Sequence, residues 1–332
     1  MPEANSNPTT TAQPVALKDL KFEEKEPYEK GFSEYFETTV KSELESTEKV
    51  RLQKLDDREK VKKGFTKPLY ITLAVGFVLI VLVPDLSRFI IMVMIIFALI
   101  RWAAINAPAG EYQMEVQKKV FPVIVKFFNF SYDQGKNIGT QTVKDSNLLK
   151  NFESYQYADY FSGIYNGVDI QIEGAIFTIR SGKSVVVVFQ GEMILAKLNK
   201  KFTGKTVVKC DAGKIGNLMM EKPAGMEHVK LEDPKFESIF EVLSTDQIEA
   251  RYLLTTAFME RLVKLSEFYK APLQCSFFDN VLLIAVQRPS PRIFQPASIE
   301  KSIINTDDIH EFLAKMNTVF EAVDVLKLST NN

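Results

Sequence analysis

Hydrophobic and polar positions follow three different rhythms along this chain, and each predicts a different kind of element. From about residue 27 to 63, Tyr28, Phe32, Tyr35, Phe36, Val40 and Leu44 recur at steps of three and four, with Leu52, Leu55 and Val61 continuing more weakly. That spacing puts them on one face of a strongly charged helix. The steps drift rather than hold a heptad, so packing on its own domain and an oligomerising coiled coil both stay open. From 68 to 105 the pattern becomes nearly solid, PLYITLAVGFVLIVLVPDLSRFIIMVMIIFALIRWAAI, with Asp85, Arg88 and Arg101 its only charges. One crossing takes roughly 20 apolar residues, so the run is too long for a single helix. Pro84-Asp85 divides it into spans of about 68–83 and 86–105. The competing reading is a buried helical hairpin in a soluble core.

Residues 106–110 (NAPAG) read as a break, and an amphipathic helix follows over about 111–130, kinked or started at Pro122. Its segment KKVFPVIVKFFNF is apolar and basic, suited either to a membrane surface or to packing on the next domain. After about 147 the rhythm turns to alternation and β-branched runs. Strands are predicted at 168–173, 175–180, 184–190, 192–198 and 205–210, with a short one near 236–243. LQCSFF and VLLIAVQ, joined by Asp279-Asn280, read as a β-hairpin. Helices are predicted at 256–269 and 306–325, the last with Ile309, Leu313, Met316, Phe320 and Val323 inward. The expected fold class is therefore α+β: a charged N-terminal helix, a transmembrane helical hairpin and a β-rich domain with helices on one side. A pleckstrin-homology-like arrangement is one candidate. The expected divisions are a disordered tail over 1–19, rich in Pro, Thr and Asn, a charged cytoplasmic helix over 20–66, and the hairpin over 67–106. A connecting helix over 107–145 and a soluble domain over 146–330 complete them.

Charge fixes the expected orientation. Arg58, Lys60, Lys62, Lys63 and Lys67 precede the first span, and Arg101, Lys118 and Lys119 follow the second, whereas the turn offers only Arg88. The positive-inside bias puts both termini in the cytoplasm. No basic start followed by an apolar stretch opens the sequence, so insertion is expected to rest on the hairpin. A net charge of -1 gives no footing for nucleic acid. Two cysteines, Cys210 and Cys275, fit a reducing compartment, and with two distant histidines they leave little for a metal site.

No catalytic, cofactor-binding or metal-binding residues are assigned, although several fragments invite the question. Gly182-Lys183-Ser184 and Gly204-Lys205-Thr206 look like ends of phosphate loops. The glycine required five positions earlier is Phe177 in one case and Asn199 in the other, and both fragments lead into strands where the motif needs a helix. They are expected to be turns. Residues 244–251 (STDQIEAR) gather Asp246, Glu249 and Arg251, but Ser244 with Gln247 fits a capping box. His228 and His310 read as surface or boundary residues. Tyr155, Tyr157, Tyr160, Phe161 and Tyr165 are either core or a binding platform. Leu218-Met219-Met220, in a glycine-containing loop, is the better candidate for an adaptable contact surface.

The run VKLEDPKFESIFEVLSTDQIEARYLLTTAFMERLVKL (229–265), followed by SFFDNVLLIAV (276–286), resembles the bacterial family known as domain of unknown function 3137. VFQGEMILAKLNKKFTGKTVV and IFQPAS look like parts of the same family, as does the layout from about residue 27 onward. Thr256 stands where proline is usual and Leu243 where an aromatic is common. The resemblance implies a bacterial inner-membrane protein with no established activity, and a LemA-like membrane protein as a partner. The function expected is a membrane-anchored adaptor or scaffold with protein partners, in some cases a second copy. The alternatives are an enzyme or ligand sensor assembled from distant residues, or a subunit of an oligomeric channel or transporter.

Overall fold

The computed structural model describes residues 20–149, 151–210, 223, 225–294, 298–303 and 306–330, with side chains to 325 in the last helix. The predicted tail over 1–19 and the Leu218-Met219-Met220 loop lie outside these residues. Two compact units are present: Met1–Ile124 with Pro296–Asp308, and Val125–Gln295 with Ile309–Asn332.

The first unit is built on two long helices. A 3-10 turn at Pro27–Glu29, an α-turn at Phe32–Tyr35 and a π-turn at Phe36–Val40 lead into α1 (Lys41–Leu82). A turn at Pro84–Leu86 then leads to α2 (Ser87–Lys126). The predicted stripe is the buried face: Phe32, Phe36, Val40 and Leu44 are at most 2% exposed, as are Tyr112, Val116 and Val120 of α2. Glu48 and Arg51 form a buried ion pair at 2.8 Å, and both also hold residues 298–303. Arg51 Nη1 donates to Ile299 O at 2.7 Å, and Glu48 accepts from Ile303 N at 3.2 Å.

Further along, the same helices turn their apolar side chains outward. Tyr70, Phe77, Leu82, Phe89 and Trp102 are each more than 60% exposed. Water would make that arrangement costly by roughly 25 cal/mol for each Å² of apolar surface, so the buried-core reading fails. Both helices are long and apolar enough to cross a membrane. They meet closely at Gly76, where a Cβ would fall 2.5 Å from Met94 Sδ.

The interruption expected at NAPAG is absent, and the charged helix and the first span form one element. α1 carries the charged segment into the apolar one without a break, passing Pro68, and α2 runs through NAPAG with Pro108 and Pro122 inside it. Proline weakens a helix by removing one hydrogen bond. Here the buried face of Tyr112, Val116, Val120 and Ile124 continues at helical spacing and outweighs that loss. The amphipathic helix expected over about 111–130 is the last part of α2, which ends at Lys126.

The second unit is a nine-stranded antiparallel sheet. Its strands are β1 (Phe130–Tyr132), β2 (Ser154–Tyr165), β3 (Val168–Ser181), β4 (Ser184–Lys197), β5 (Thr206–Cys210), β6 (Glu227–His228), β7 (Phe240–Ser244), β8 (Leu273–Phe278) and β9 (Val281–Gln287). They lie in the order β1-β2-β3-β4-β9-β8-β5-β7-β6. The helices are α3 (Thr140–Asp145), α4 (Gln247–Leu253), α5 (Thr256–Tyr269) and α6 (Asp307–Thr330). α5 buries Phe258, Leu262 and Leu265, while α6 buries Ile309, Leu313 and Met316. Ile138, Val143 and Leu148 pack with Phe177, Met193, Leu195, Leu283 and Ala285 in one hydrophobic cluster.

Several elements differ from expectation. β2 was not predicted as a strand, because its tyrosines and small residues lack a clean alternation. The pairs expected at 168–173 with 175–180, and at 184–190 with 192–198, are single strands through Gly174 and Gly191. The strand expected near 236–243 begins only at Phe240, after a helical turn at Pro234–Glu237 capped by the Asp233 carboxylate.

Candidate functional site

The two glycines at mid-strand mark the place where the chain crosses its own sheet. Gly174 pairs with both Asp159 and Glu192 across β2–β3–β4. A Cβ at Gly174 would sit 1.6 Å from Pro291 O, and one at Gly191 2.0 Å from Val286 O. Only bare backbone leaves room for the strap at 288–294. Asp159 and Glu192 flank this gap and are 1% and 0% exposed. Asp159 accepts from Tyr132 Oη at 2.9 Å and from Ile293 N at 3.0 Å. Glu192 accepts from Tyr269 Oη at 3.0 Å and Lys315 Nζ at 2.9 Å, and Lys315 also donates to Ile293 O at 3.1 Å.

Burial pushes the Asp159 carboxyl up, against the Ile293 N–H, the Tyr132 hydroxyl and the Arg292 charge. Next along β3, buried Glu173 accepts from Ile138 N at 2.6 Å and from the Tyr155 hydroxyl. Desolvation raises its carboxyl to about 7, although both bonds oppose the shift. Shifted carboxylates often mark catalytic centres. Asp159 and Glu173 are covered and hydrogen-bonded by their own chain, as is Glu192, and all three act as clamps for the strap and for the segment around Ile138. Sequence reading passed over them, although an acid beside a glycine inside an apolar strand (Glu173-Gly174, Gly191-Glu192) was a usable signal.

The fragments singled out in the sequence are not brought together. Gly182-Lys183-Ser184 forms the β3–β4 turn, with Gly182 at φ +62°. At Gly204-Lys205-Thr206 the anion is the protein's own: Glu249 accepts from Thr203 N at 2.9 Å and Gly204 N at 2.7 Å. The cap of α4 is Asp246, which accepts from Ile248 N and Glu249 N. Ser244 is not the cap; it bonds Thr206 and the Asp246 backbone instead. The Asp246 backbone is extended, as an N-cap must be, so Asp246 takes the capping position expected for Ser244. His228 lies on β6 and meets Glu241 at 2.9 Å, while His310 lies on α6. Tyr155 stacks on Phe177, and Tyr165 on Phe320, while Tyr160 and Phe161 are buried; Tyr157 is 41% exposed. Among the described residues, no three His, Cys, Asp or Glu side chains are placed to hold a metal ion.

The accessible feature of this unit is the outer part of β4. Its pairing with β9 begins only at Gly191–Gln287, because Pro289 and Pro291 take the chain out of the sheet after Arg288. β4 therefore overhangs β9, and Val185, Val186, Val187 and Val188 are 66%, 43%, 52% and 36% exposed. At the foot of the overhang lies an open groove of about 320 Å³, lined among others by Val188, Phe189, Leu149, Leu273, Lys209 and Cys210. Cys210 is half-buried, whereas Cys275 is fully buried, which pushes its thiol up.

Residues 187–328 match the family described as protein of unknown function, DUF3137. Over that stretch the chain resembles the DUF3137 family. The match is narrower than the layout from residue 27 onward suggested, and it includes Glu192, Tyr269 and Lys315 but not Asp159 or Glu173. No curated protein matches the chain. A crystal structure of the mycobacterial trehalose monomycolate transport factor A, TtfA, aligns with 61% of this chain and 92% of its own. The identity is 12% and the TM-score 0.33, which is too loose to carry an argument about the DUF3137-like domain.

Proposed function

We propose that this protein is a membrane-anchored adaptor that presents its α+β domain to protein partners. The reading rests on one observation: two long helices expose an apolar surface suited to lipid, while a separately packed unit carries an exposed apolar arm. The placement that goes with it is the bacterial inner membrane, with both termini and the domain in the cytoplasm. It is supported by the cationic residues gathered at the open end of the hairpin. The family resemblance makes a LemA-like membrane protein the first partner to test.

The test uses a membrane-impermeant maleimide on intact and permeabilised cells. Cys275 is too buried to react, so a Cys210→Ser chain carrying Lys136→Cys, whose parent side chain is 67% exposed, supplies the reporter. Labelling only after permeabilisation is expected; labelling of intact cells overturns the cytoplasmic placement. The adaptor role is tested by exchanging 68–105 for an unrelated two-span hairpin. Photo-crosslinks from the domain persist if the hairpin is only an anchor and vanish if it forms a channel with its partners.

A further inference from the structure

We infer that the free edge of β4 over 184–189 is a docking site for an extended segment of a partner protein, apolar at alternate positions and acidic at the end beside the β3–β4 turn. This deepens the adaptor reading and rests on it, by naming the surface and the chemistry of what binds there.

The argument begins with the backbone. In an antiparallel ladder, every second residue of an edge strand turns its N–H and C=O away from its neighbour. β3 covers one side of this stretch, with Thr178, Ile179, Arg180 and Ser181 opposite Val187, Val186, Val185 and Ser184. On the other side, among the described residues, the first closure is Arg288 N donating to Gln190 O at 2.8 Å. Above it the edge offers a template for one more strand. Natural edges are commonly blunted by a charge, a proline or a bulge. Here the prolines lie in the neighbouring chain, so they open the edge instead of protecting it. Ser184-Val185-Val186-Val187-Val188-Phe189 itself carries no charge or proline. Its one irregularity is a bulge at Val188, between the Val187–Thr178 and Phe189–Phe177 pairs, which lies at the inner end and leaves Ser184–Val187 as the regular part of the edge.

Side chains and charge then define the occupant. The valines project to both faces, so an added strand gains apolar neighbours on either side. The groove at its foot, between Phe189, Leu149 and Leu273, has room for a large apolar side chain. From 175 to 190 the only ionisable side chains with full charge are Arg180 and Lys183, both exposed at the tip. The nearby Glu153 carboxylate accepts the Arg180 backbone N–H. A second copy fits this charge pattern poorly. Two-fold pairing of the same edges would set each basic tip against the partner copy's Gln190 and Gly191. The adjoining carboxylate, Glu192, is buried there and held by Lys315.

The experiment uses the full chain in lipid nanodiscs and a fluorescent ten-residue peptide of alternating valine and threonine ending in two glutamates. A lysine-ended peptide and a proline-interrupted one serve as comparisons. The glutamate peptide is expected to bind about tenfold more tightly than the lysine peptide, and the proline peptide not at all. Arg180→Glu with Lys183→Glu should reverse the charge preference. Val187→Lys should weaken binding at least about tenfold. The Val185→Thr, Val187→Thr pair keeps strand propensity and should weaken it less, which separates loss of the apolar edge from loss of the arm. Equal binding of both charged peptides, no binding by either, or indifference to Val187→Lys overturns the proposal. So does concentration-dependent self-association that Val187→Lys abolishes, since it gives the edge to a second copy. Each of these failures leaves the adaptor reading standing as long as domain crosslinks persist with the exchanged hairpin, and only loss of those crosslinks sinks both.

Discussion

Glu192 and Lys315 are buried together, and that makes them interdependent. Removing the ammonium with Lys315→Met leaves a carboxylate 0% exposed with the Tyr269 hydroxyl as its near partner and Arg288 Nε at 3.8 Å. Breaking one side of a buried pair costs about 3–5 kcal/mol, because an uncompensated charge remains. Lys315→Met should therefore lower the urea stability of the domain by that order, and adding Glu192→Gln should restore part of the loss. Equal losses in the single and double variants would show that packing, not charge, holds the strap. Glu173 gives a pH signature of its own. Its folded carboxyl titrates at about 7 against an ordinary 4.5, so the folded domain holds a proton that the unfolded chain releases. The stabilisation is complete below about 4.5 and is lost as pH rises through about 7. Between pH 5 and 8 the natural domain should lose about 2–3 kcal/mol relative to Glu173→Gln, which has no proton to give up. Parallel stability curves for the two would rule out Glu173 as the titrating group.

At the scale of elements, the strap at 288–294 depends on two absent side chains. Gly174→Ala would drive a methyl into Pro291 O, and neither strand nor strap can yield without losing the Asp159 and Lys315 bonds to Ile293. A loss of about 1–3 kcal/mol is expected in thermal or urea unfolding. Gly135→Ala, whose new methyl comes no nearer than 3.4 Å to Asp133 Oδ1, should be close to neutral. The same glycines explain where sequence reading stopped. The hairpin of β8 and β9 was legible because Asp279-Asn280 punctuates two apolar runs, and α5 and α6 because their apolar steps are regular. β3 and β4 were each cut in two, because glycine usually signals a break and its role here is set by a segment more than ninety residues away. The carboxylate clamps were hidden for the same reason: pairing of Asp159, Gly174 and Glu192 is a property of register, which linear spacing does not display. The exposed arm was half legible, since SVVVVFQ reads as a strand, but only the exit of β9 at Pro289 shows that its outer edge is open.

For the whole molecule, the length of the apolar band sets the fit to a bilayer. Exposed apolar side chains run from Tyr70 along α1 to Val83 just past its end, and from Leu86 just before α2 to Trp102 within it. At 1.5 Å per residue these bands come to roughly 20–25 Å, less than the 30 Å of a typical hydrocarbon core. A short hairpin is accommodated by local thinning of the bilayer and by long basic side chains reaching to the headgroups. Lys67 and Arg101 stand at the open end in position to do this, beside Trp102, whose ring is 67% exposed. Trp102 is the protein's only tryptophan, so its fluorescence reports this boundary without any label. In vesicles with bromines placed at defined acyl positions, quenching of Trp102 should be strongest from the shallowest position. It should shift toward deeper positions as the acyl chains lengthen, because Asp85 and Arg88 at the tip hold the other end. Strongest quenching from the bilayer centre, at any chain length, would mean that the helices lie at a different depth from the one their polar ends imply. An emission insensitive to every brominated lipid would mean that the apolar bands meet protein rather than lipid, and the membrane anchor would have to be abandoned.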